Sequence, residues 1–228
     1  MILAERKPLA EIIELIGDAR KVLVLGCGTC VTVCFAGGSK EVGILASQLR
    51  MAASKAGKEL EVVEETIERQ CEDEFFEGVK EKISDADVVL SLACGVGVQT
   101  IAELFPEVVP LPGVNTTSFG RPVEPGVFVE YCAGCGDCLL ALTAGICPIA
   151  RCSKSLLNGP CGGSENGRCE VDPENIPCAW HMIYERLEKL GRLDWLDKIS
   201  EAKDWSSSAS GGVRIDIRED LREIKLES

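Results

Sequence analysis

Thirteen cysteines in a chain of 228 residues constrain this protein more than any other feature of its sequence. A chain of this length can bury an apolar core without cross-links, so it does not need a disulfide scaffold. The number is odd, several cysteines are closely spaced, and we find no pattern of a secretory signal. In a reducing compartment such cysteines are typical of metal sites. Because the chain has one histidine, we expect all-thiolate sites, either iron–sulfur clusters or structural zinc.

The charge balance excludes several classes of partner. The chain has 24 Lys and Arg residues against 37 Asp and Glu residues, which gives a net charge of −13. Binding to a phosphate backbone requires clustered cations, so the sequence argues against nucleic acid as a ligand. No run of about 18 or more apolar residues is present, so we expect no membrane span. The sequence therefore predicts a soluble, cytoplasmic protein.

The first half of the chain alternates between strand and helix patterns. Continuous apolar runs that end in turn residues are typical of buried parallel strands, and the segments between them have helical spacing. The strands are predicted at 21–25, 59–67, 87–93 and 108–111, and the helices at 9–19, 41–56, 72–82 and 97–104. This order predicts an α/β fold with a doubly wound, mostly parallel sheet. We assign residues 1–121 to this Rossmann-like domain.

The second half is rich in Cys, Gly and Pro and has little periodicity. We assign residues 122–204 to a Cys-rich, metal-stabilised region, irregular or helical, because it offers too little apolar surface to fold alone. An amphipathic helix is predicted at 178–190. Its inward face is predicted to consist of Trp180, Ile183, Tyr184, Leu187 and Leu190.

Residues 205–228 are predicted to form a Ser/Gly-rich linker and a docking tail. We expect the apolar side chains of the tail to dock on a partner or on another part of this chain. These are Val213, Ile215, Ile217, Leu221 and Ile224.

The cysteines of the first half follow the predicted strands. Cys27, Cys71 and Cys94 each come after a strand, and the carboxyl ends of parallel strands meet at one edge of the sheet. Cys30, in a C-x-x-C motif, adds a fourth thiol, and Cys34 is a candidate fifth ligand. Free cysteine is also a common buried residue. Because several of these cysteines are expected to meet at the same edge of the sheet, a metal site is favoured over ordinary buried cysteines.

The cysteines of the second half are eight, which is two tetrads. Cys132, Cys135 and Cys138 have the C-x-x-C-x-x-C spacing typical of a cubane cluster, whose fourth ligand often comes from a remote Cys-Pro such as Cys147-Pro148. The other four thiols fit a second cluster or a four-cysteine zinc site equally well. They are Cys152, Cys161, Cys169 and Cys178. His181 is not included, because a lone histidine near the start of an amphipathic helix is more often solvated.

Several of these segments resemble one family. The sequences GCGTCVTVCFAGG at 26–38 and LACGVGVQ at 92–99, with the segments 145–148, 156–163 and 178–187, are similar to the MetV-type iron–sulfur subunit of methylenetetrahydrofolate reductase. This family is also described as the C-terminal domain family of that reductase. The similarity covers about Lys21 to Leu196.

The resemblance implies a complex of the reductive acetyl-CoA (Wood–Ljungdahl) pathway in anaerobes. The partner would be a flavin-containing (β/α)8-barrel subunit that reduces methylene- to methyl-tetrahydrofolate. This chain would carry two or three [4Fe–4S] clusters, and zinc has been associated with such complexes. All thirteen cysteines are candidate metal ligands. By the motif match, all of them except Cys34 are carried over, and the resemblance leaves open whether Cys34 replaces one of the first four. The predicted cluster ligands are Cys27, Cys30, Cys71, Cys94, Cys132, Cys135, Cys138 and Cys147.

The sequence offers no second chemistry beside its thiols. It contains no phosphate-binding Gly-rich loop ending in Lys and no flavin site, so a flavin is expected only on the partner subunit. We expect an electron-transfer and assembly subunit that is not catalytic alone, served by a further electron-donor protein. Two alternatives are a zinc-stabilised scaffold and an accessory to a corrinoid methyltransferase system.

Overall fold

A computed structural model describes residues 1–207, 215, 217 and 218 of the chain. The described residues divide into two compact units, of which the first is Met1–Tyr131 and the second begins at Cys132. No helix in the described part of the chain is both long and apolar enough to span a bilayer.

The centre of the first unit is a four-stranded parallel sheet. Its strands are β2 (Lys21–Cys27), β3 (Glu61–Ile67), β4 (Val88–Ser91) and β5 (Val109–Pro112). Their order across the sheet is β3-β2-β4-β5, so the chain turns to one side after β2 and later returns to the other side. The predicted α/β fold with a parallel, doubly wound sheet is confirmed. Ligands of such sheets bind where the direction reverses, beyond the carboxyl ends of β2 and β4.

Helices cover both faces of this sheet. They are α1 (Leu9–Ile16), α2 (Cys30–Val33), α3 (Ser39–Lys55), α4 (Lys80–Ser84) and α5 (Gly95–Leu104). The prediction of one helix at 72–82 is wrong, because a 3₁₀ turn at Asp73–Phe76 is separated from α4. Gly78 lies in the break, and glycine is unfavourable inside a helix.

The apolar core has two parts, one on each face of the sheet. Alternate side chains of a strand point to opposite faces, so Val22 and Val24 join one cluster while Leu23 and Leu25 join the other. Helices α1 and α3 pack on the first cluster, and α4 and α5 pack on the second. The parallel sheet is therefore held by apolar packing on both faces.

A second sheet in this unit was not predicted. Strand β1 (Ile2–Arg6) pairs antiparallel with β6 (Val114–Glu124), and β7 (Val127–Cys132) pairs with the other edge of β6. The sequence of β6 is mostly polar. Eight of its eleven residues are exposed and three are half or fully buried at irregular spacing, so it lacks the alternation that identifies a strand.

The second unit has little regular structure. Its helices are α6 (Pro148–Arg151) and α7 (Ala179–Lys189), with 3₁₀ turns at Leu193–Asp197 and Trp205–Ser207. Among its described residues, one small cluster of buried apolar side chains is present. The fully buried members are Cys178, Trp180, Ile183 and Leu187.

Two side chains of α7 differ from the prediction. Tyr184 and Leu190 were expected to face inward, but 45% and 57% of their surface is exposed. They lie at the edge of the apolar face of α7, so the part of this face that is buried is narrower than the sequence predicted. In the tail, Ile215 and Ile217 are exposed, whereas Val213, Leu221 and Ile224 lie outside the described residues.

Candidate functional site

The first group of thiols lies at the carboxyl edge of the parallel sheet. Cys27 is the last residue of β2, Cys94 immediately precedes α5 after β4, and Cys71 follows β3. Burial of the Cys71 thiol, followed by the nearby charges of Cys27 and Cys94, raises its pKa. The structure therefore brings Cys71 close enough to both Cys27 and Cys94 for their thiolates to repel that of Cys71. A bound metal would remove that repulsion.

The C-x-x-C motif continues from β2 into α2. Cys30 is the first residue of α2, and Cys34 follows the last one. The Cys34 thiol donates hydrogen bonds to the carbonyl oxygens of Ala4, at 3.6 Å, and Val31, at 3.5 Å. Burial raises the pKa of Cys34. A buried, hydrogen-bonded thiol loses its proton less readily than an ordinary cysteine and is typical of a structural residue. Of the five cysteines in the first half of the chain, Cys34 is therefore the weakest candidate for a metal ligand.

The turn that carries these cysteines is pressed against the end of β4. The Cys27 amide donates to the Gly37 carbonyl at 2.9 Å. A Cβ added at Gly37 would lie 1.9 Å from the Leu92 carbonyl oxygen, which only glycine avoids. This close contact holds the segment after β2 beside the segment that leads to Cys94.

Sequence reasoning missed the polar network beneath these thiols. Gln70, fully buried beside Cys71, donates from Nε2 to the Leu25 carbonyl at 2.9 Å. Its Oε1 accepts a hydrogen bond of 2.7 Å from the Ser91 hydroxyl. The network links the segment after β3 to the ends of β2 and β4. The only sequence signal was a glutamine next to a candidate ligand.

The second group of thiols begins on an irregular segment. The Gly134 amide donates to Cys132 Sγ at 3.4 Å, and Cys135 Sγ lies 3.8 Å from the Asp137 carbonyl oxygen. Gly134 and Gly136 have φ angles of 62° and 80°, so the chain curls around the cysteines in a conformation that favours glycine. Cys135 is buried and Cys132 and Cys138 are exposed. Cys147 precedes α6, with Pro148 as the first helical residue.

The remaining four cysteines line one cavity. They come from the end of α6, two loops and the start of α7, and they are Cys152, Cys161, Cys169 and Cys178. The cavity has a volume of about 20 Å³, which is the space of roughly one water molecule. They are the four thiols that remain after the C-x-x-C-x-x-C motif and Cys147 are set aside.

Charged groups border this cavity. The Cys161 thiol lies 3.1 Å from Glu170 Oε2, and the Lys154 ammonium pairs with the same carboxylate at 2.5 Å. The Lys154 ammonium first, and then the Cys161 thiol, lowers the pKa of Glu170. On the other side, the Ser153 hydroxyl lies 3.3 Å from Cys169 Sγ. Hydrogen bonding by Ser153, and then by the backbone at Val171, lowers the pKa of Cys169 and favours its thiolate.

All thirteen cysteines are free thiols. In the part of the chain that the structure describes, no three His, Cys, Asp or Glu side chains already stand as a metal site. The thiols thus share regions without forming a coordination sphere. Their chemistry fits soft metals, because four sulfur donors in one place are typical of zinc or iron–sulfur ligation.

Comparison with known proteins gives one match. Residues 111–206 match a protein-family model described as methylene-tetrahydrofolate reductase C terminal. The matched segment covers less than half of the chain but includes its last eight cysteines. No curated protein and no solved structure matches the chain. A domain related to the C-terminal region of methylenetetrahydrofolate reductase is therefore indicated, and it associates the chain with an oxidoreductase.

Proposed function

We propose that this chain is an iron–sulfur electron-transfer and assembly subunit of a methylenetetrahydrofolate reductase complex. It would pass electrons to or from a flavin on the barrel subunit that reduces methylene- to methyl-tetrahydrofolate. One observation carries the proposal: the segment that matches the reductase C-terminal family contains eight free thiols. Such a density of thiols without disulfides is typical of a protein that binds soft metals.

The residues that would hold clusters fall into two sets. The first is at the sheet edge and consists of Cys27, Cys30, Cys71 and Cys94. The second is on the irregular segment and consists of Cys132, Cys135, Cys138 and Cys147. When bound, clusters of this kind exchange single electrons. The chain itself would position the thiolates and, at the sheet edge, support them with the Gln70–Ser91 network.

The third set of cysteines fits zinc better than a further cluster. Cys152, Cys161, Cys169 and Cys178 surround a space of about 20 Å³, which suits a single ion rather than a cube of iron and sulfide. A zinc ion there would stabilise the second unit, whose apolar core is small. A zinc-stabilised scaffold without clusters is the second candidate function, and this cavity favours it.

The negative charge of the chain indicates which partner surfaces it would bind. With a net charge of −13, the chain would associate best with a basic patch on the barrel subunit or on an electron donor. We expect association to weaken as salt is added. Binding that does not depend on ionic strength would contradict this electrostatic component, although not electron transfer itself.

Metal analysis of anaerobically purified full-length protein tests the proposal. We expect iron and acid-labile sulfide for two clusters, one zinc, a broad visible absorption band, and paramagnetic resonance signals after reduction with dithionite. Cys135→Ser should remove about half of the iron, because it removes one ligand of one proposed cluster. Cys34→Ser is the matched control and should keep all of it. Colourless protein with stoichiometric zinc would exclude electron transfer and leave the scaffold.

Co-purification identifies the kind of complex. A flavoprotein that is retained with the tagged chain, and activity only when the two are combined, is the expected result. A cobalamin protein in its place would instead support the corrinoid methyltransferase alternative. We expect the isolated chain to reduce no folate substrate.

A further inference from the structure

A larger cavity lies in the second unit beside the four-cysteine cavity. Its volume is about 500 Å³, within the range of roughly 300–1,000 Å³ that is usual for small-molecule sites. Three aromatic side chains line it, namely Trp180 and Tyr184 of α7 and Trp195 of the following 3₁₀ turn. Large flat side chains around one cavity provide surfaces on which a planar ring can stack.

The lining of the cavity has one cation, the Lys198 ammonium, and no Asp or Glu is among the described residues that line it. His181 also lines the cavity, and its Nε2 lies 3.4 Å from Oε1 of Glu185, which is outside the lining. Another cation, Arg192, lies 4.4 Å from the centre of the Trp195 ring and 3.5 Å from Asp194. In a chain of net charge −13, a lining of this kind favours an anionic ligand.

The walls of the cavity are fixed by hydrogen bonds. Asn158 and Ser200, 42 positions apart, bind each other twice, from Asn158 Nδ2 to the Ser200 carbonyl at 2.9 Å and from the Ser200 amide to Asn158 Oδ1 at 2.7 Å. Trp180 Nε1 donates to the Leu156 carbonyl at 2.9 Å, which sets the orientation of its ring. A cavity formed in advance lowers the entropy that a ligand must lose on binding.

A tight turn forms part of one wall. Asn166 and Gly167 have φ angles of 50° and 74° and lie between the bridge partners Glu165 and Arg168, as in the two-residue hairpin turns that favour Asn-Gly. A Cβ added at Gly167 would lie 2.8 Å from His181 Cδ2, so glycine lets this turn approach the imidazole.

We propose that this cavity binds a planar heteroaromatic small molecule that carries a carboxylate or phosphate group. The ring would stack among the aromatic side chains, and the anionic group would pair with the Lys198 ammonium. Cys161 and Trp180 line both this cavity and the four-cysteine cavity, so the ligand would lie next to the thiols. The inference goes beyond the proposed electron-transfer role and does not depend on which metal the thiols hold.

Calorimetric titration of the anaerobically purified full-length protein tests this assignment with two probes. 5-Formyltetrahydrofolate offers a pterin with carboxylates, and flavin mononucleotide offers an isoalloxazine with a phosphate. We expect at least one to bind with one-to-one stoichiometry and a dissociation constant below about 1 mM. If only the first probe binds, the ligand is a pterin. If only the second probe binds, the ligand is a flavin. If both bind, the site recognises only the planar ring and the anionic group that the two probes share.

Two variants locate the bound probe. Lys198→Glu should weaken binding about tenfold or more, because it replaces the cation at the cavity with a carboxylate. Lys189→Glu makes the same charge change at an exposed position of α7 outside the cavity and should leave binding unchanged. Tyr184→Ala should weaken binding by about fivefold or more through lost stacking. Both Tyr184 and Lys198 are exposed, so the variants should remain folded, which circular dichroism will verify.

Two results would overturn the inference. One is the absence of saturable binding by either probe below about 1 mM. The other is binding that Lys198→Glu and Lys189→Glu leave equally strong, since the probe would then occupy another place. Tryptophan emission gives an independent readout, because two of the three tryptophans of the chain line the cavity.

Discussion

The two units present the same thiol chemistry on different supports. In the first unit the thiols follow strands of a sheet that has an apolar cluster on each face. In the second unit they are spread over irregular chain around one small cluster. The comparison suggests a test of whether a cysteine-rich site is added to a fold that is already stable or contributes to the stability of the fold.

This difference predicts opposite responses to metal. Burial of apolar side chains on both faces of the parallel sheet is sufficient to hold the first unit, so its thiols should stay near one another without a metal. The apolar cluster in the described part of the second unit has four buried members, so we expect metal–thiolate bonds to supply part of the folding free energy of this unit. The predictions below test this contrast.

Removal of metal should have the largest effect. We expect anaerobic treatment with a chelator and a thiol-exchange reagent to abolish protection of amide hydrogens in residues 132–207, while strands β2 and β4 remain protected. The measurement is hydrogen exchange followed by mass spectrometry. Equal loss of protection in both units would show that the parallel sheet also needs metal, and equal retention would show that the second unit does not.

Substitution of Gly37 should be the most damaging single change in the first unit. In Gly37→Ala the new methyl group would lie 1.9 Å from the Leu92 carbonyl oxygen, so backbone must move. We expect a loss of about 3 kcal/mol in the free energy of unfolding, measured with urea.

Gly78→Ala is the matched control. A Cβ there meets no atom within 4 Å, and the change should alter stability by at most about 1 kcal/mol. If both variants unfold alike, the close contact at the end of β4 does not contribute to the stability of the sheet edge.

Gln70→Leu should have an intermediate effect. It leaves the buried Ser91 hydroxyl without its acceptor, which costs about 1–3 kcal/mol, whereas the Leu25 carbonyl keeps the hydrogen bond from the Leu92 amide. Because this network lies beneath Cys71 and Cys94, the iron content should also fall. Gln99→Leu, at an exposed position of α5, should change neither quantity. Normal iron content in Gln70→Leu would mean that the network supports the sheet but not the ligands.

The same contrast explains how much the sequence could predict. The apolar run at Val22–Leu25 identified a buried parallel strand, and the order of strands then placed Cys27, Cys71 and Cys94 along one edge. Strand β6 was not predicted, because its polar sequence has no regular alternation. In addition, its pairing with β1 joins residues more than a hundred positions apart. Long-range pairing of this kind leaves no local signal.

The site of the second unit shows the limit more clearly. The count of eight thiols predicted two tetrads and left Cys152 and Cys178 in the same one, but no spacing rule predicted that residues 26 positions apart on irregular chain would line one cavity. The Ser153 and Glu170 contacts of these thiols depend on loops without periodicity. In the first unit, the order of the parallel strands predicts where the cysteines that follow them lie. The irregular chain of the second unit provides no comparable rule.

Reactivity of Cys34 should give the smallest effect and the sharpest test of which thiols are ligands. If the other twelve cysteines bind metal, Cys34 is the one free thiol of the loaded protein. Burial raises its pKa, so less of it is thiolate at neutral pH than in an ordinary cysteine, and alkylation should increase only as the pH rises above the usual range. Peptide mass spectrometry after iodoacetamide treatment across the pH range measures the alkylation of Cys34.

The control is the same treatment in urea, where the pH dependence of Cys34 alkylation should return to that of a free thiol. Rapid labelling of any second-unit cysteine in the loaded protein would remove it from the set of metal ligands.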